Sequence, residues 1–345
     1  DFKSLQLFKK ASVDTSIVLL KKGSSNKIKA CEIDDLDKYK NFEETLKIEN
    51  IEIKKENLLS TWAISRGDEN LLLTKIKNLK NKIDLPRTKF RRGITTGLNS
   101  VFLIDEKKKR ELVKIDKKNE SLIKKIVRGK NMYKYTYDRG LDYLLYIPWH
   151  FPLKDDSING ASKKAELIFK KEYKSLYEYL SHSKKSLEKR NEEETGIRYE
   201  WYALQRPGTS FVSDFNQIKV GWMNMNRGWK FSLIDKDIFL EASCNFIADN
   251  EYAKYLVGIY SSNLHKWYFK KVGRMFDDGG YMCKVDTISE FPVIKPNRKE
   301  KSKVEKIVDS LINNPKQKDE DYLNNYVCEL YGLNSKEKNI NDSVK

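Results

Sequence analysis

The stretch FRRGITTGLNSVFLID, residues Phe90 to Asp105, sets the organisation of the chain. It lies just after Pro86 and joins a basic turn with two glycines to a run of β-branched and aromatic residues. Glycine lets the backbone turn tightly or come close to a ligand, and the apolar run is typical of a β-strand. The stretch therefore predicts a turn that leads into a strand and opens a second region of the chain.

Apolar patterns on both sides of this stretch predict a mixture of strands and helices. β-branched runs and period-two alternation favour strands at residues 11–22, 51–53, 142–149, 201–205, 217–222, 230–233 and 245–248. Spacing of three and four favours helices at residues 70–83, 112–127, 161–190 with a break near His182, 252–270, and from Lys299 onward. The mixture predicts the α+β class, with a mixed, strand-rich domain that carries inserted helices and ends in a helical C-terminal tail.

Composition narrows the function classes. The 345 residues carry a formal net charge of +17, 39% of them are hydrophobic, and mean hydropathy is −0.69. No apolar run approaches the ~20 residues that a membrane-spanning helix needs, and the first residues do not form a signal peptide, so we expect a cytoplasmic protein. The charge favours a polyanionic partner, although the lysine, asparagine and isoleucine content would also follow from an A/T-rich genome.

Cysteine and histidine spacing argues against a metal centre. No two cysteines have a C-x-x-C spacing and the histidines stand alone, so neither a zinc site nor a disulfide framework is expected. The residues concerned are Cys31, Cys244, Cys283, Cys328, His150, His182 and His265.

Catalytic motifs are absent from the sequence. There is no Asn/Asp-Pro-Pro-aromatic signature of an amino-methyltransferase, no glycine-rich cofactor loop, no phosphate loop and no Pro-Asp…Glu-x-Lys nuclease pattern. Gly208-Thr209-Ser210-Phe211 lacks the second glycine of a nucleophile elbow. The pattern predicts a binding module that has no catalytic residue, metal or cofactor site of its own.

Three loops combine glycine with arginine, asparagine, threonine and aromatic residues. Arginine and asparagine can pair with phosphate or base edges, and aromatic rings can stack on bases. Ordinary turns, a hairpin loop and a solvated loop are the alternative interpretations. We predict that the loops at residues 93–99, 224–230 and 273–281 converge on one concave basic face that binds nucleic acid. The candidate residues in and beside these loops are Arg91, Arg92, Thr95, Thr96, Asn99, Asn224, Asn226, Arg227, Trp229, Lys271, Arg274 and Tyr281.

Several segments together resemble the C-terminal half of type IIG restriction–modification proteins and related adenine-specific DNA methyltransferases, and in particular their TaqI-like target recognition domain. The segments are GITTGLNSVFLID at 93–105, IVRGKN at 126–131 followed by Tyr135, LEKR at 187–190 with WYALQRP at 201–207, IKV at 218–220, LVGIYSSN at 256–263, ISEFPV at 288–293 and YVCELYGL at 326–333. Gln217 stands where the family usually has proline. The run at 11–22 is similar to the last strand of the methyltransferase core, whereas residues 26–85 resemble nothing.

The resemblance implies a domain order and a function. Residues 1–25 would be the end of a methyltransferase core, and residues 26–85 would connect it to the next domain. That domain, the DNA target recognition domain, would comprise residues 86–297, and residues 298–345 would form the helical tail. The resemblance adds Lys130 and Lys219 to the DNA-binding candidates. In the parent protein it implies N6-adenine methylation with S-adenosylmethionine, which takes the adenine out of the stack. Nuclease activity of the parent stays open.

The partners expected are double-stranded DNA and an upstream methyltransferase domain in the same chain or in a separate subunit. Two alternatives stay open: a free-standing specificity subunit, and a nucleic-acid-binding module without sequence preference.

Overall fold

The computed structural model describes residues 15–31, 33, 51–54, 67–153, 155, 157–194, 198–276 and 280–342. The chain divides into two compact units. The sheet unit comprises Pro86–Asn224 and Lys230–Val257. The terminal unit comprises the described parts of Asp1–Leu85, together with Met225–Trp229 and Gly258–Lys345.

Short strands and short helices alternate along the chain. The strands are β1 (Lys27–Ala30), β2 (Ile51–Lys54), β3 (Phe90–Arg92), β4 (Leu103–Ile104), β5 (Ile123–Val127), β6 (Asp142–Leu145), β7 (Lys219–Met223), β8 (Met225–Asn226), β9 (Phe231–Ile234), β10 (Phe239–Leu240), β11 (Cys244–Ala248), β12 (Arg274–Met275) and β13 (Tyr281–Met282). The helices are α1 (Gly67–Lys77), α2 (Asn99–Phe102), α3 (Glu106–Ile115), α4 (Lys163–Glu172), α5 (Lys174–Ser181), α6 (Lys184–Glu194), α7 (Ala253–Tyr260), α8 (Asn263–Val272), α9 (Val285–Ser289), α10 (Arg298–Asn313), α11 (Gln317–Leu330) and α12 (Ser335–Asp342).

Two four-stranded sheets build the sheet unit. One has the order β3-β11-β7-β9 and is antiparallel throughout, and the other has the order β10-β5-β6-β4 with a parallel pair at β10 and β5. Phe215 stacks on Phe239 with ring centroids 4.2 Å apart, and Phe246 packs 5.0 Å from Phe215 in the core. The two sheets, one of them mixed, and the inserted helices confirm the predicted α+β class.

Most predicted helices are present, with more breaks than expected. The helix predicted at 70–83 is α1, which ends at Lys77, so the prediction is wrong for residues 78–83; the tail forms α10 to α12. The long segment 161–190 forms three helices, with breaks at Tyr173 and after Ser181. The helix predicted at 252–270 is two helices, because Ser262 caps α8 by accepting a hydrogen bond from the His265 amide at 3.3 Å.

The helix predicted at 112–127 is wrong beyond Ile115. The Asp116 carboxylate accepts from the Lys118 amide at 2.9 Å and starts a single 3-10 segment in place of further α-helix. Residues 123–127 then form β5, which pairs with β6. Three of the five residues of β5 are β-branched and buried, which suits a central strand.

The strand predicted at 201–205 is also absent, since these residues form turns. The guanidinium of Arg190 donates to the carbonyls of Trp201 at 3.1 Å and Ala203 at 2.9 Å. These carbonyls therefore bond to a buried side chain and not to a neighbouring strand.

The strand predicted directly after the turn at 93–99 also differs. The turn leads into the short helix α2 and only then into the two-residue strand β4.

The predicted strand at 11–22 is wrong where the structure describes it. Residues 15–22 form no helix or strand, and Leu19 and Leu20 are 92% and 88% exposed. Residues 11–14 lie outside the described residues.

Candidate nucleic-acid interface

Two of the three predicted loops meet in one small sheet of the terminal unit. β13 pairs with β12 on one side and with β8 on the other, and both pairs are antiparallel. The register places Arg274 opposite Met282 and Met282 opposite Met225. The sheet therefore carries an outer row, Arg274-Met282-Met225, and an inner row, Met275-Tyr281-Asn226. We call this sheet of β12, β13 and β8 the three-stranded face.

The inner row packs on an aromatic cluster. Asn226 and Tyr281 are buried, and the ring of Trp229 lies 4.8 Å from Tyr281 and 5.2 Å from Phe269. The Trp229 indole N–H donates to the Tyr260 carbonyl at 2.9 Å. Asn226, Trp229 and Tyr281 were predicted to contact DNA, but the structure buries all three, and we assign them the role of positioning the sheet.

A neutral histidine completes this cluster. His265 is buried, its ring lies 5.1 Å from Trp229, and its Nδ1 donates to the Tyr260 carbonyl at 2.8 Å. Burial lowers the pKa of His265 to about 3, because the charged imidazolium would be desolvated. His265 therefore supports the sheet as an uncharged packing residue.

The outer row and its flanking loop face outward. Met225 is 53% exposed, Arg274 and Arg227 are exposed, and Met282 is half-buried. An arginine beside flexible thioether side chains can contact both phosphate or guanine and the apolar parts of bases. Lys271, which was predicted to belong to the same surface, lies on α8 with its ammonium 2.8 Å from both carboxylate oxygens of Glu69.

The turn at 93–99 belongs to the sheet unit, so its convergence with the other two loops remains a prediction. Backbone hydrogen bonds hold this turn in place. The Ile94 amide donates to the Leu240 carbonyl at 2.7 Å, and the amides of Thr95 and Arg206 each donate to the carbonyl of the other residue. A β-carbon at Gly93 would overlap the carbonyl oxygens of residues 240 and 241, which explains the glycine.

A buried arginine fastens the second half of the turn. The Arg190 guanidinium donates to the Thr96 carbonyl at 2.7 Å as well as to the two carbonyls of the 201–203 turn. Gly97 has a φ of +77°, and a β-carbon there would overlap the Arg190 side chain. The Thr96 hydroxyl is buried and donates to Asn99 Oδ1 at 2.6 Å. We call Arg190, the Thr96 carbonyl and the 201–203 turn the arginine clamp.

The arginines that precede the turn are also engaged within the sheet unit. Arg91 pairs with Asp214 at 2.9 Å and lies over the ring of Phe211, and Arg92 donates to the Ala242 carbonyl at 3.0 Å. Arg92 and Asn99 are nevertheless exposed, whereas Thr95 is half-buried and Thr96 is buried. Asn99 and Arg92 are thus the exposed residues among the DNA-binding candidates of this stretch.

Lys219 is a structural residue in the core of the sheet unit. Its ammonium donates to the carbonyls of Phe215, Gln217 and Asp235 at 2.7, 2.6 and 2.9 Å, and its side chain is fully buried. Burial lowers the pKa of Lys219 to about 7, while the negative charges of Asp237 and Asp235 favour the charged form. The fully buried Lys219 presents no surface to a phosphate, so we exclude it from the interface.

Tyr133 is a surface residue that the sequence analysis missed. It is 50% exposed, and the Lys230 ammonium lies 5.9 Å from its ring centroid. The Ser232 hydroxyl donates to the Tyr133 carbonyl at 2.6 Å, which fixes the loop on β9. The alternation of tyrosine with lysine and threonine at 133–137 could have indicated this loop.

Two further candidates have polar partners inside the sheet unit. The Lys130 ammonium lies 3.5 Å from Asp142, and Asn224 Oδ1 accepts from the Asn245 side chain at 2.6 Å. Lys130 is exposed and Asn224 is half-buried.

Within the described parts of the chain, no group of three or more histidine, cysteine or acidic side chains could hold a metal ion. The described helices include none that is long and apolar enough to cross a membrane.

Comparisons with known proteins give structural likeness alone. No protein-family model matches the chain, and no curated protein matches it. Among solved structures, it is similar to the type IIL restriction-modification enzyme MmeI in complex with DNA, with a TM-score of 0.49, 14% identity, and coverage of 93% of this chain and 41% of that chain. It is also similar to the type IIG restriction endonuclease BpuSI, with a TM-score of 0.40, 12% identity, and coverage of 90% and 41%. The chain thus spans less than half of either protein.

Proposed function

We propose that this chain recognises double-stranded DNA in a sequence-specific way, as the specificity part of a restriction–modification adenine methyltransferase. The observation that carries the proposal is the three-stranded face, where Arg274 and Met225 are exposed on the outer row and Arg227 is exposed beside them. The net charge of +17 and the motif resemblance described above support the same partner.

The three-stranded face has side chains that can contact base edges, and the strands that carry them are fixed by packing. Arginine can fork onto the O6 and N7 of guanine, and apolar side chains can contact the methyl group of thymine. The aromatic cluster under Tyr281 fixes the strands, so little conformational freedom is lost on binding. Exposed lysines, by contrast, contact phosphates and position the protein without reading the sequence.

In the sheet unit, we propose that Tyr133, Lys230, Lys130, Arg92 and Asn99 add contacts to the duplex. Tyrosine with a cation over its ring can pack against sugar or base surfaces while the ammonium pairs with phosphate. Exposed lysines of α4 to α6 would contribute sequence-independent contacts or none.

Competition binding tests the proposal. A duplex selected from a random library by the purified chain should displace a labelled probe far better than random duplex of the same length. If about six phosphates are contacted, the logarithm of the association constant should fall with the logarithm of salt concentration at a slope of about −5. Equal displacement by all duplexes would favour the alternative of a module without sequence preference, and a flat salt response would contradict DNA binding altogether.

The methyltransferase part of the proposal concerns a domain outside these 345 residues. The sequence lacks an amino-methyltransferase signature and a cofactor loop, so we expect the chain to transfer no labelled methyl group from S-adenosylmethionine to DNA. We propose that an upstream methyltransferase domain, in the same chain or in a separate subunit, binds that cofactor. Methyl transfer by the purified chain alone would contradict the proposal that a separate domain binds the cofactor.

A further inference from the structure

A cationic groove runs along the outer side of α10 in the terminal unit. It has a volume of about 570 Å³ and is open to solvent. Among the described residues that line it, four are cationic and none carries a carboxylate. The lining residues are Arg298, Lys299, Ser302, Lys303, Lys306, Ile307 and Tyr322.

The periodicity of α10 explains why these residues share one side. Arg298, Ser302 and Lys306 are spaced by four, so they follow one another along the helix surface. The opposite side is buried and holds Val304, Val308 and Leu311, while Ile307 lies at the border and also lines the groove. Lysine and arginine are therefore concentrated on the side that does not pack.

Two tyrosines of α11 hold one of the lysines in place. The Lys303 ammonium lies 3.8 Å from the ring centroid of Tyr326 and 5.1 Å from that of Tyr322. A hydrogen bond with the Tyr322 side chain raises the pKa of Lys303, so the side chain is a cation at physiological pH. Tyr322 is itself 50% exposed and lies at the edge of the groove.

The acidic residues of α10 nearest to the groove have partners elsewhere. The Glu300 carboxylate accepts from the Asn297 amide at 2.7 Å as part of the helix cap. Glu305 lies 3.9 Å from the Lys301 ammonium, one turn earlier on the same helix. No carboxylate is among the residues that line the groove, and Glu300 and Glu305 have partners within α10 or its cap, so the lining residues carry a net positive charge.

We propose that this groove binds the sugar–phosphate backbone of duplex DNA and adds a sequence-independent contact to the recognition made by the three-stranded face. The inference rests on the proposed DNA-binding function. Lysine, arginine and hydroxyl side chains are the groups that contact phosphate oxygens, and such contacts position a protein without specifying a sequence. The groove lacks asparagine or glutamine for adenine, and three of its four cations are exposed side chains at the rim.

The test is salt-dependent binding of the full chain to random duplex. In the triple variant Arg298→Gln, Lys299→Gln, Lys306→Gln, the salt slope should become shallower by about 3, one for each lost phosphate contact. Glutamine is a good helix former and the three side chains are exposed, so α10 should stay folded. The matched control is Lys107→Gln, Lys114→Gln, Lys117→Gln, which removes the same charge from exposed positions of the sheet unit.

The outcomes separate this inference from the proposed function. The triple variant should lose affinity equally for random and selected duplex, and Lys299→Arg, Lys306→Arg should retain it. An unchanged slope in the triple variant, with sequence preference intact, would overturn the groove alone. A shallower slope in a chain that shows no sequence preference would overturn the specificity proposal alone. Loss of binding to anionic phospholipid vesicles, with DNA binding unaffected, would assign the groove to a membrane surface and overturn the inference.

Discussion

The turn at 93–99 and the three-stranded face contain similar residues, yet the structure uses them differently. In the turn, glycines let two segments come close, and a buried arginine bonds the Thr96 carbonyl. In the face, the glycine-flanked residues Arg274 and Arg227 lie exposed at the surface of a small sheet. Arginine is thus a donor to the protein's own carbonyls in one place, through the buried Arg190, and a surface group in the other.

Backbone hydrogen bonds decide the role of a basic, glycine-rich stretch. Where several backbone groups of a turn are already paired across chain segments, its side chains are constrained to serve the fold. Where strands pair in a register that alternates faces, one row is left for a partner.

The largest effect is expected for Arg190→Ala in the arginine clamp. The change leaves the carbonyls of Thr96, Trp201 and Ala203 without their charged donor in a buried site. We expect the free energy of unfolding to fall by roughly 3–5 kcal/mol, measured by denaturant titration. Lys185→Ala on the exposed side of the same helix is the control and should change it by less than about 0.5 kcal/mol. An equal, small effect of both changes would mean that the clamp does not hold the turn.

Arg274→Ala and Arg227→Ala should have the opposite profile. Each should weaken binding to a selected duplex by roughly 1–3 kcal/mol and binding to random duplex little, because a base contact is lost and not a phosphate contact. Stability should hardly change, since both side chains are exposed. Arg110→Ala, an exposed arginine on α3, serves as the control. Equal weakening of binding to both duplexes would mean that these arginines contact phosphates and do not read bases.

Acid should destabilise the support of the three-stranded face. Because the pKa of His265 in the folded protein is about 3, below its usual 6.5, the unfolded chain binds a proton in this interval that the folded chain does not. The free energy of unfolding should therefore fall as pH drops below 6.5, by about 1.4 kcal/mol per pH unit from this group. His265→Asn should flatten that part of the profile, whereas exposed His182→Asn should leave it unchanged. A profile that His265→Asn does not alter would contradict the neutral buried assignment.

The sequence predicted the class of fold and several elements because local periodicity encodes them. Leu72 and Ile76 mark α1, and the run from Val304 to Leu311 marks α10. What it could not predict depends on contacts distant in sequence. Arg190 converts the 201–205 segment from a strand into turns, and Asp116 ends α3 before β5.

The same limit applies to the candidate interface. The sequence identified two loops that the structure joins in one sheet, but period-two alternation does not say which row is buried. Asn226 and Tyr281 therefore looked like ligands, and Lys219 looked like a surface cation although three carbonyls surround it. Only the packing of Trp229 and of the Lys219 ammonium distinguishes the structural residues from the exposed ones.

The smallest effect is expected for Asn99→Ala, which compares the two regions most directly. Asn99 is exposed on the turn, but its Oδ1 accepts from the buried Thr96 hydroxyl, so one end of the amide serves the fold and only the other end is left for a base. We expect a loss of about 1 kcal/mol on the selected duplex, below that of Arg274→Ala, together with a stability loss of similar size from the unsatisfied Thr96 hydroxyl. Exposed Asn216→Ala in the sheet unit is the control and should change neither. A loss on the selected duplex larger than that of Arg274→Ala would reverse the comparison, since the turn would then read bases despite its internal bonds.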